Sequence, residues 1–238
     1  MKLNKLTDVS QSDIQLAASL SAAAYEDSIP GAFKYVSKIG ACAYLQKRND
    51  TQFVIWRGTN SGIDWLANIA CIPWRVKGKW VHGGFALQQA SVWKPIRKQL
   101  NPSVKTYVVG HSLGGACATI TAAKLVGQNF KDVRLITMGR PNTWFRSKTP
   151  LGATCNISVV AGSDIVCTVP RTYGSAADQH IIFMANDGKD YLDPDKEFRD
   201  ADRRSHLKES ISDHMMNTSY IPRIKSLKLE KLCTDTPS

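Results

Sequence analysis

The chain is predicted to fold as an α/β domain with a central, mostly parallel sheet flanked by helices. Three observations lead there. The second half carries short, continuous apolar runs at residues 106–109, 133–138 and 157–160, the pattern of strands covered on both faces. Between the first two lies a small-residue stretch from Leu113 to about Val126 that suits a helix packed closely on a sheet, and such alternation marks parallel α/β architecture. Finally, 238 residues, 43% hydrophobic and 21% charged, suffice for one substantial domain spanning residues 1–238. The composition is not that of a disordered chain, and no apolar run is long enough to span a bilayer.

Taken in order, the N-terminal Met1-Lys2-Leu3-Asn4-Lys5 has the charge of a signal peptide. The polar residues Thr7, Asp8, Ser10, Gln11 and Asp13 then stand where its apolar region would lie, so export by the usual signal route is not expected. Ser12 and Gln15 form a Ser-x-x-Gln capping box, which predicts a helix with Ile14, Ala17, Leu20, Ser21 and Ala24 on one side. Strand-like runs at 36–45 and 52–57 are separated by a polar turn, Lys47-Arg48-Asn49-Asp50. A helix follows Gly84, with Phe85, Val92, Trp93 and Ile96 at helical spacing; Pro95 is expected to kink or restart it. Beyond residue 178 the sequence becomes irregular and charged from Asp193 to Arg204, and a terminal helix is expected to begin near Lys208.

The six cysteines, Cys42, Cys71, Cys117, Cys155, Cys167 and Cys233, form no Cys-x-x-Cys pair and no metal-ligand spacing. They read as free thiols, mostly small buried hydrophobes. The net charge of +11 favours anionic partners such as nucleic acid, an acidic lipid surface or a charged substrate. A lysine-rich solvated face explains it equally well, and nucleic acid is disfavoured because no recognised binding motif accompanies the charge.

The most informative stretch is Tyr107-Val108-Val109-Gly110-His111-Ser112-Leu113-Gly114-Gly115. It holds Gly-x-Ser-x-Gly after an apolar strand and before a helix, the setting of a nucleophile elbow. The serine must sit on a strained turn so that its Oγ projects above the sheet edge, and glycines on either side remove the Cβ atoms that would collide. Amides in the first turn of the following helix can then stabilise a developing oxyanion. This predicts the α/β-hydrolase fold with Ser112 as nucleophile.

A serine needs a histidine to accept its proton and a carboxylate to orient that histidine, in the chain order Ser, Asp or Glu, His. Asp164 lies just past the apolar run 157–160, where a strand delivers side chains to the catalytic edge. Asp178, Asp187, Asp190, Asp193 and Asp195 read as solvated turn residues, and Asp132 as a pre-strand turn residue. Of the later histidines, His214 is favoured, with His206 and His180 as alternatives; His82 and His111 precede the acid.

Together with Val54-Ile55-Trp56-Arg57-Gly58-Thr59, these residues resemble the class 3 lipases, the fungal-lipase-like branch of the α/β-hydrolases. The resemblance runs through Asp64-Trp65-Leu66-Ala67-Asn68, Val81-His82-Gly83-Gly84-Phe85, the elbow, Asp164-Ile165-Val166 with Pro170, and Asp213-His214, nearly the whole chain. It implies Ser112, Asp164 and His214 as catalytic triad, and an oxyanion hole of the Leu113 amide with Thr59. It also implies no metal or organic cofactor. The family usually has a tyrosine soon after the histidine, whereas here Tyr220 lies further on. Family members are often secreted and disulfide-bonded, and neither sign is present.

By the same resemblance, residues of about 60–80 form a lid, with Ile63, Leu66, Ile69 and Ala70 on one face of a short helix. Trp65 and Trp74 complete the expected lipid contacts. Trp74 and Trp80 bracket Arg75, Lys77 and Lys79, a mixture that suits transient binding to an anionic membrane surface; core tryptophans with solvated lysines are the equal alternative. The implied function is hydrolysis of lipid esters through an acyl-enzyme, as a triacylglycerol lipase or phospholipase A-type enzyme. An esterase for soluble or aryl esters and a catalytically silent lipid-surface binder are the alternatives.

Overall fold

A computed structural model describes residues 9–59, 72–76, 78–144, 151–174 and 180–229. The first helix, α1 (Gln11–Tyr25), buries Ile14, Ala17, Leu20, Ser21 and Ala24, as the periodicity predicts. Its cap is shifted from the expected one. Ser10 Oγ accepts the Asp13 amide at 3.2 Å while the Asp13 carboxylate accepts the Ser10 amide at 2.8 Å. An N-cap needs extended backbone, which Ser10 has and Ser12, already inside the helix, lacks.

The chain then builds β1 (Phe33–Val36), β2 (Cys42–Arg48) and β3 (Thr51–Trp56) as an antiparallel meander. The run expected as one strand at 36–45 is broken. Ser37 and Ala41 close a turn around Gly40, whose φ of +81° suits glycine. The following turn narrows to Asn49 and Asp50, because Arg48 already pairs with Thr51.

A small hairpin, β4 (Pro73–Val76) with β5 (Lys79–His82), precedes α2 (Gly83–Gln99). This helix runs through Pro95 without restarting. The hydrogen bond that proline forfeits would have gone to Ser91, and both residues lie on the exposed side. Next come β6 (Lys105–His111), α3 (Leu113–Val126), β7 (Val133–Met138) and β8 (Cys155–Ala161). Then follow β9 (His180–Met184) and β10 (Asp190–Leu192).

The eight-stranded sheet has the order β1-β2-β3-β6-β7-β8-β9-β10. Its five middle strands, β3 to β9 in that order, are parallel, with antiparallel strands at both edges. Alternation along the middle strands sends Val109, Ile136, Ile157 and Val159 towards α1, and Val54, Val108 and Leu135 towards α2 and α3. Fully buried side chains such as Ile120 and Leu125 on α3 each contribute on the order of 2 kcal/mol to holding these layers together.

The C-terminal region departs most from expectation. The charged stretch contains α4 (Lys196–Ser205), capped by Asp195, whose Oδ1 accepts the Phe198 amide at 2.7 Å. Around Lys208 there is only a 3-10 turn, Leu207–Glu209, followed by another at Ser212–His214 and a π turn at Met216–Tyr220. The terminal helix, α5 (Ile221–Ser226), begins later. Core anchors in this segment, Met216, Tyr220, Ile224 and Leu227, start too late to bury a helix from residue 208. Among the described cysteines, Cys42, Cys117 and Cys155 are buried thiols, and Cys167 is a partly exposed one. No described helix is long and apolar enough to cross a membrane.

Candidate active site

The C-terminal ends of β3, β6, β7 and β8 converge, since Trp56 pairs with Gly110, His111 with Met138 and Met138 with Val159. Ser112 sits at that edge between β6 and α3, with φ 57° and ψ −131°. A non-glycine residue held there stores roughly 1–3 kcal/mol of strain. Its amide donates to Met138 O at 3.0 Å, and its carbonyl accepts the Gly115 and Ala116 amides at 2.9 and 3.3 Å. The flanking glycines are sterically required. A Cβ on Gly110 would stand 2.5 Å from the backbone of Gly114, and one on Gly114 would stand 2.3 Å from Trp56 O.

Ser112 Oγ lies 2.8 Å from His214 Nε2, and His214 Nδ1 lies 2.9 and 3.0 Å from the two oxygens of Asp164. All three residues are buried, Asp164 completely. An ionised carboxylate only accepts, so Nδ1 carries the imidazole proton and Nε2 is left to accept from Ser112. Asp164 leaves β8 as the cap of a 3-10 turn, Ile165–Thr168, its Oδ1 accepting the Val166 amide at 2.9 Å. Burial alone would push its carboxyl up. The charge of His214 and hydrogen bonds from His214 and Tyr220 outweigh that and hold it below the usual carboxylate range.

Four residues support this arrangement; the sequence marks Asp213, beside His214, and marks the other three misleadingly or not at all. Tyr220 follows His214 at a distance because the π turn intervenes, yet its hydroxyl donates to Asp164 Oδ2 at 2.7 Å and accepts the Ala161 amide at 3.1 Å. His111 stacks on His214 with ring centroids 4.7 Å apart. Its Nε2 donates to the His214 carbonyl at 2.8 Å, so its Nδ1 accepts from the Tyr25 hydroxyl, also at 2.8 Å. Burial, then the neighbouring charge of His214, lowers the His111 pKa from 6.5 to about 3 and keeps the ring neutral. Gly139, with φ +56°, leaves no room for a side chain: its Cβ would stand 2.9 Å from Asp164 Oδ2 and 3.1 Å from the His214 ring. Asp213 accepts the Ser163 amide at 2.8 Å and so ties the histidine segment to the acid loop.

The other histidine candidates lie elsewhere. His180, on β9, pairs with Asp193 at 2.8 Å, and His206 closes the end of α4 against Ser205. Asp193 is therefore not a free solvated residue; it also accepts the Ile181 amide at 2.7 Å and pins that sheet edge. Asp187 is an exposed turn residue, as expected, and accepts the Tyr191 hydroxyl at 2.8 Å, whereas Asp190 is half-buried, which raises its carboxyl above the usual range. Asp132 sits just before β7 and pairs with Arg134.

Leu113 is the first residue of α3, so its amide lies at the helix start beside Ser112. Thr59 is half-buried beyond the end of β3. The preceding Gly58 passes so close to the elbow that a Cβ would stand 2.9 Å from His111 O. Of the expected lipid contacts, Ile63, Trp65, Leu66 and Ile69 lie outside the described residues. Trp74 is described, on β4 and 54% exposed, with Trp80 on β5 similarly exposed and the Arg75 guanidinium 5.9 Å from its ring. Of the expected lid stretch, residues 73–76 and 79–80 thus lie in the strands of the hairpin.

Strand order, elbow and the Ser112–His214–Asp164 chain place this protein among the α/β-hydrolases. The family model for Lipase (class 3) matches residues 53–174, more than half of the chain, and the protein belongs to that family. A lipase from Rhizomucor miehei is 32% identical over 104 residues, an alignment that takes in 38% of this chain and 29% of that protein. The chain thus matches less than a third of that relative's length. Among solved structures, the Rhizomucor miehei triacylglyceride lipase superposes with a TM-score of 0.69 at 19% identity, covering 89% of this chain and 96% of the other. A triacylglycerol lipase from Penicillium expansum gives 0.63 at 18%, covering 82% and 87%. These structural likenesses establish a shared fold.

Proposed function

We propose that the protein, acting as one domain, is a serine-dependent carboxylic-ester hydrolase for lipid esters, of the triacylglycerol lipase or phospholipase A type. The observation that carries this reading is the unbroken hydrogen-bond path from Ser112 Oγ through His214 to Asp164, mounted on a strained elbow. His214 Nε2 takes the proton as Ser112 Oγ attacks the acyl carbonyl. The Leu113 amide and Thr59 stabilise the oxyanion. His214 then protonates the departing alcohol, and water cleaves the acyl-enzyme by the same route reversed. The charge that develops on His214 is matched by Asp164, while the neutral His111 stacked beside it adds no repulsion.

The exposed Trp74 and Trp80, with Arg75 against the Trp80 ring, support transient docking of the β4–β5 hairpin on an anionic lipid surface. Family membership supports lipid esters over soluble ones as substrates.

The test is hydrolysis of p-nitrophenyl esters of short and long acyl chains, and of emulsified triacylglycerol, by the wild type and Ser112→Ala. The expected result is preference for long acyl chains and a loss of about 10⁴-fold or more in the alanine variant. Preference for short soluble esters would replace the lipase reading by an esterase. Activity that survives the alanine change would remove Ser112 from the mechanism.

A further inference from the structure

A cavity of about 640 Å³ lies beside the Asp164 turn. Ser158, Val160 and Ile181 line it, the residues that alternate with Val159 and Ile182. Val159 and Ile182 belong to the core packed on α1, so the cavity lies on the opposite face of the sheet, outside the Ser112 site. Six basic side chains line it: Arg140, Arg171, Lys196, Arg199, Arg203 and Arg204. Among the described lining residues the one carboxylate is Asp200.

The charge is organised by α4. Lys196, Arg199, Asp200, Arg203 and Arg204 recur at the helical spacing that gathers side chains on one face. A helix lying on a sheet normally turns its apolar side inwards. Here Phe198 alone makes ring contacts with Phe183 and Tyr191, while the basic stripe lines the cavity. Two of the cations are nine-tenths buried or more, Arg140 after β7 and Arg203 on α4. Asp200 is shared between Lys196 and Arg203, the latter at 3.1 Å. The buried Nε of Arg203 has no acceptor among the described residues. A buried guanidinium donor without an acceptor is costly and calls for a partner.

Arginine's planar fork matches phosphate oxygens, and phosphate brings more negative charge than a carboxylate. The volume also exceeds what phosphate alone would fill and leaves room for an organic body, being of ordinary ligand-pocket size. We propose that this cavity is a binding site for a phosphoryl-bearing ligand, with Arg140 and Arg203 as the buried anchors and Arg171, Arg199 and Arg204 supplying further charge. A phospholipid headgroup and a free phosphorylated metabolite share that chemistry. The lining includes none of Ser112, His214 and Asp164, and the site gives part of the net charge of +11 a specific role.

The test is calorimetric titration of the full chain carrying Ser112→Ala with sn-glycerol 3-phosphate. The same protein is then sedimented with phosphatidylcholine vesicles with and without phosphatidic acid. Saturable binding of glycerol phosphate is expected, weakened about tenfold or more in Arg203→Gln, the loss typical of one charge-assisted hydrogen bond. The exposed pair Arg171→Gln/Arg204→Gln, which leaves the core untouched, should weaken it similarly. The pair Lys94→Gln/Lys98→Gln, on the exposed side of α2 and with the same charge change, should bind as before. Vesicle binding that requires phosphatidic acid and falls in the same variants would identify a headgroup as the source; soluble binding alone would identify a free phosphate compound. Absence of glycerol phosphate binding, or equal weakening by the α2 pair, would overturn the proposal. Because no turnover is measured, failure here leaves the ester-hydrolase reading untouched, and failure of that reading leaves this one standing.

Discussion

The elbow that carries Ser112 and the arm that carries His214 are built on opposite principles. In the elbow, β6 and α3 join across a turn whose glycines touch backbone directly: Gly110 against Gly114, and Gly114 against Trp56. The backbone itself leaves Ser112 nowhere else to go. The arm from His206 to Tyr220 is a succession of 3-10 and π turns with little regular structure. Side-chain bonds to distant segments hold it: His111 to the His214 carbonyl, Asp213 to Ser163, and Tyr220 to Asp164. The proposed nucleophile is therefore inseparable from the fold. The proposed base and the clamp on its acid can be loosened one bond at a time.

The largest effect should come from Gly114→Ala. The new methyl would meet Trp56 O at 2.3 Å, so β3 or α3 must move. A loss on the order of 3 kcal/mol is expected, read as a lower denaturant midpoint, with activity falling alongside. A midpoint unchanged from the wild type would break the claim that backbone packing sets the elbow.

Tyr220→Phe should separate the two regions. It removes a donor to Asp164 and an acceptor from the Ala161 amide, at a cost of about 2 kcal/mol. The variant should fold, with kcat reduced about tenfold and KM nearly unchanged, because only the orientation of His214 suffers. A pH signature follows. The depressed Asp164 pKa contributes stability that is present above the ordinary carboxylate value of 3.8 and is lost as pH falls through the lower folded value. Losing the tyrosine bond shrinks that contribution, so wild type and variant should differ most near neutral pH and converge in acid. A stability difference that grew on acidification would refute this account.

His111→Gln should have the smallest effect on turnover, less than about tenfold, since glutamine can still donate to the His214 carbonyl. Its clearer consequence is on stability. The wild-type ring stays neutral down to about pH 3, whereas the unfolded chain binds a proton near 6.5. Stability is thus lost as pH falls from 6.5 towards 3. The glutamine variant should show a flatter profile in that window, with a residual slope from His82, whose burial lowers its pKa to about 4. Parallel profiles in the two proteins would show that His111 is not held neutral.

What the amino-acid sequence determined by itself is whatever is enforced within one turn or one element. The glycines around Ser112, the apolar runs of β6, β7 and β8, and the position of Asp164 past a strand end are of this kind. They are legible because steric exclusion and burial act on neighbouring residues and leave a fixed spacing. Even so, local rules misplaced details where a neighbour only two residues away competed, as when Ser10 rather than Ser12 capped α1.

The tertiary structure decided which histidine meets Ser112, since His180, His206 and His214 are alike in chain order and only one lies at the sheet edge. It also decided that Tyr220 clamps Asp164 from 56 positions away, that His111 braces His214 103 positions on, and that α4 lines a cavity with its basic side. Such partnerships depend on chain segments brought together by burial of the apolar faces. Nothing in the spacing of either partner records the other, so they become visible only when the core has closed.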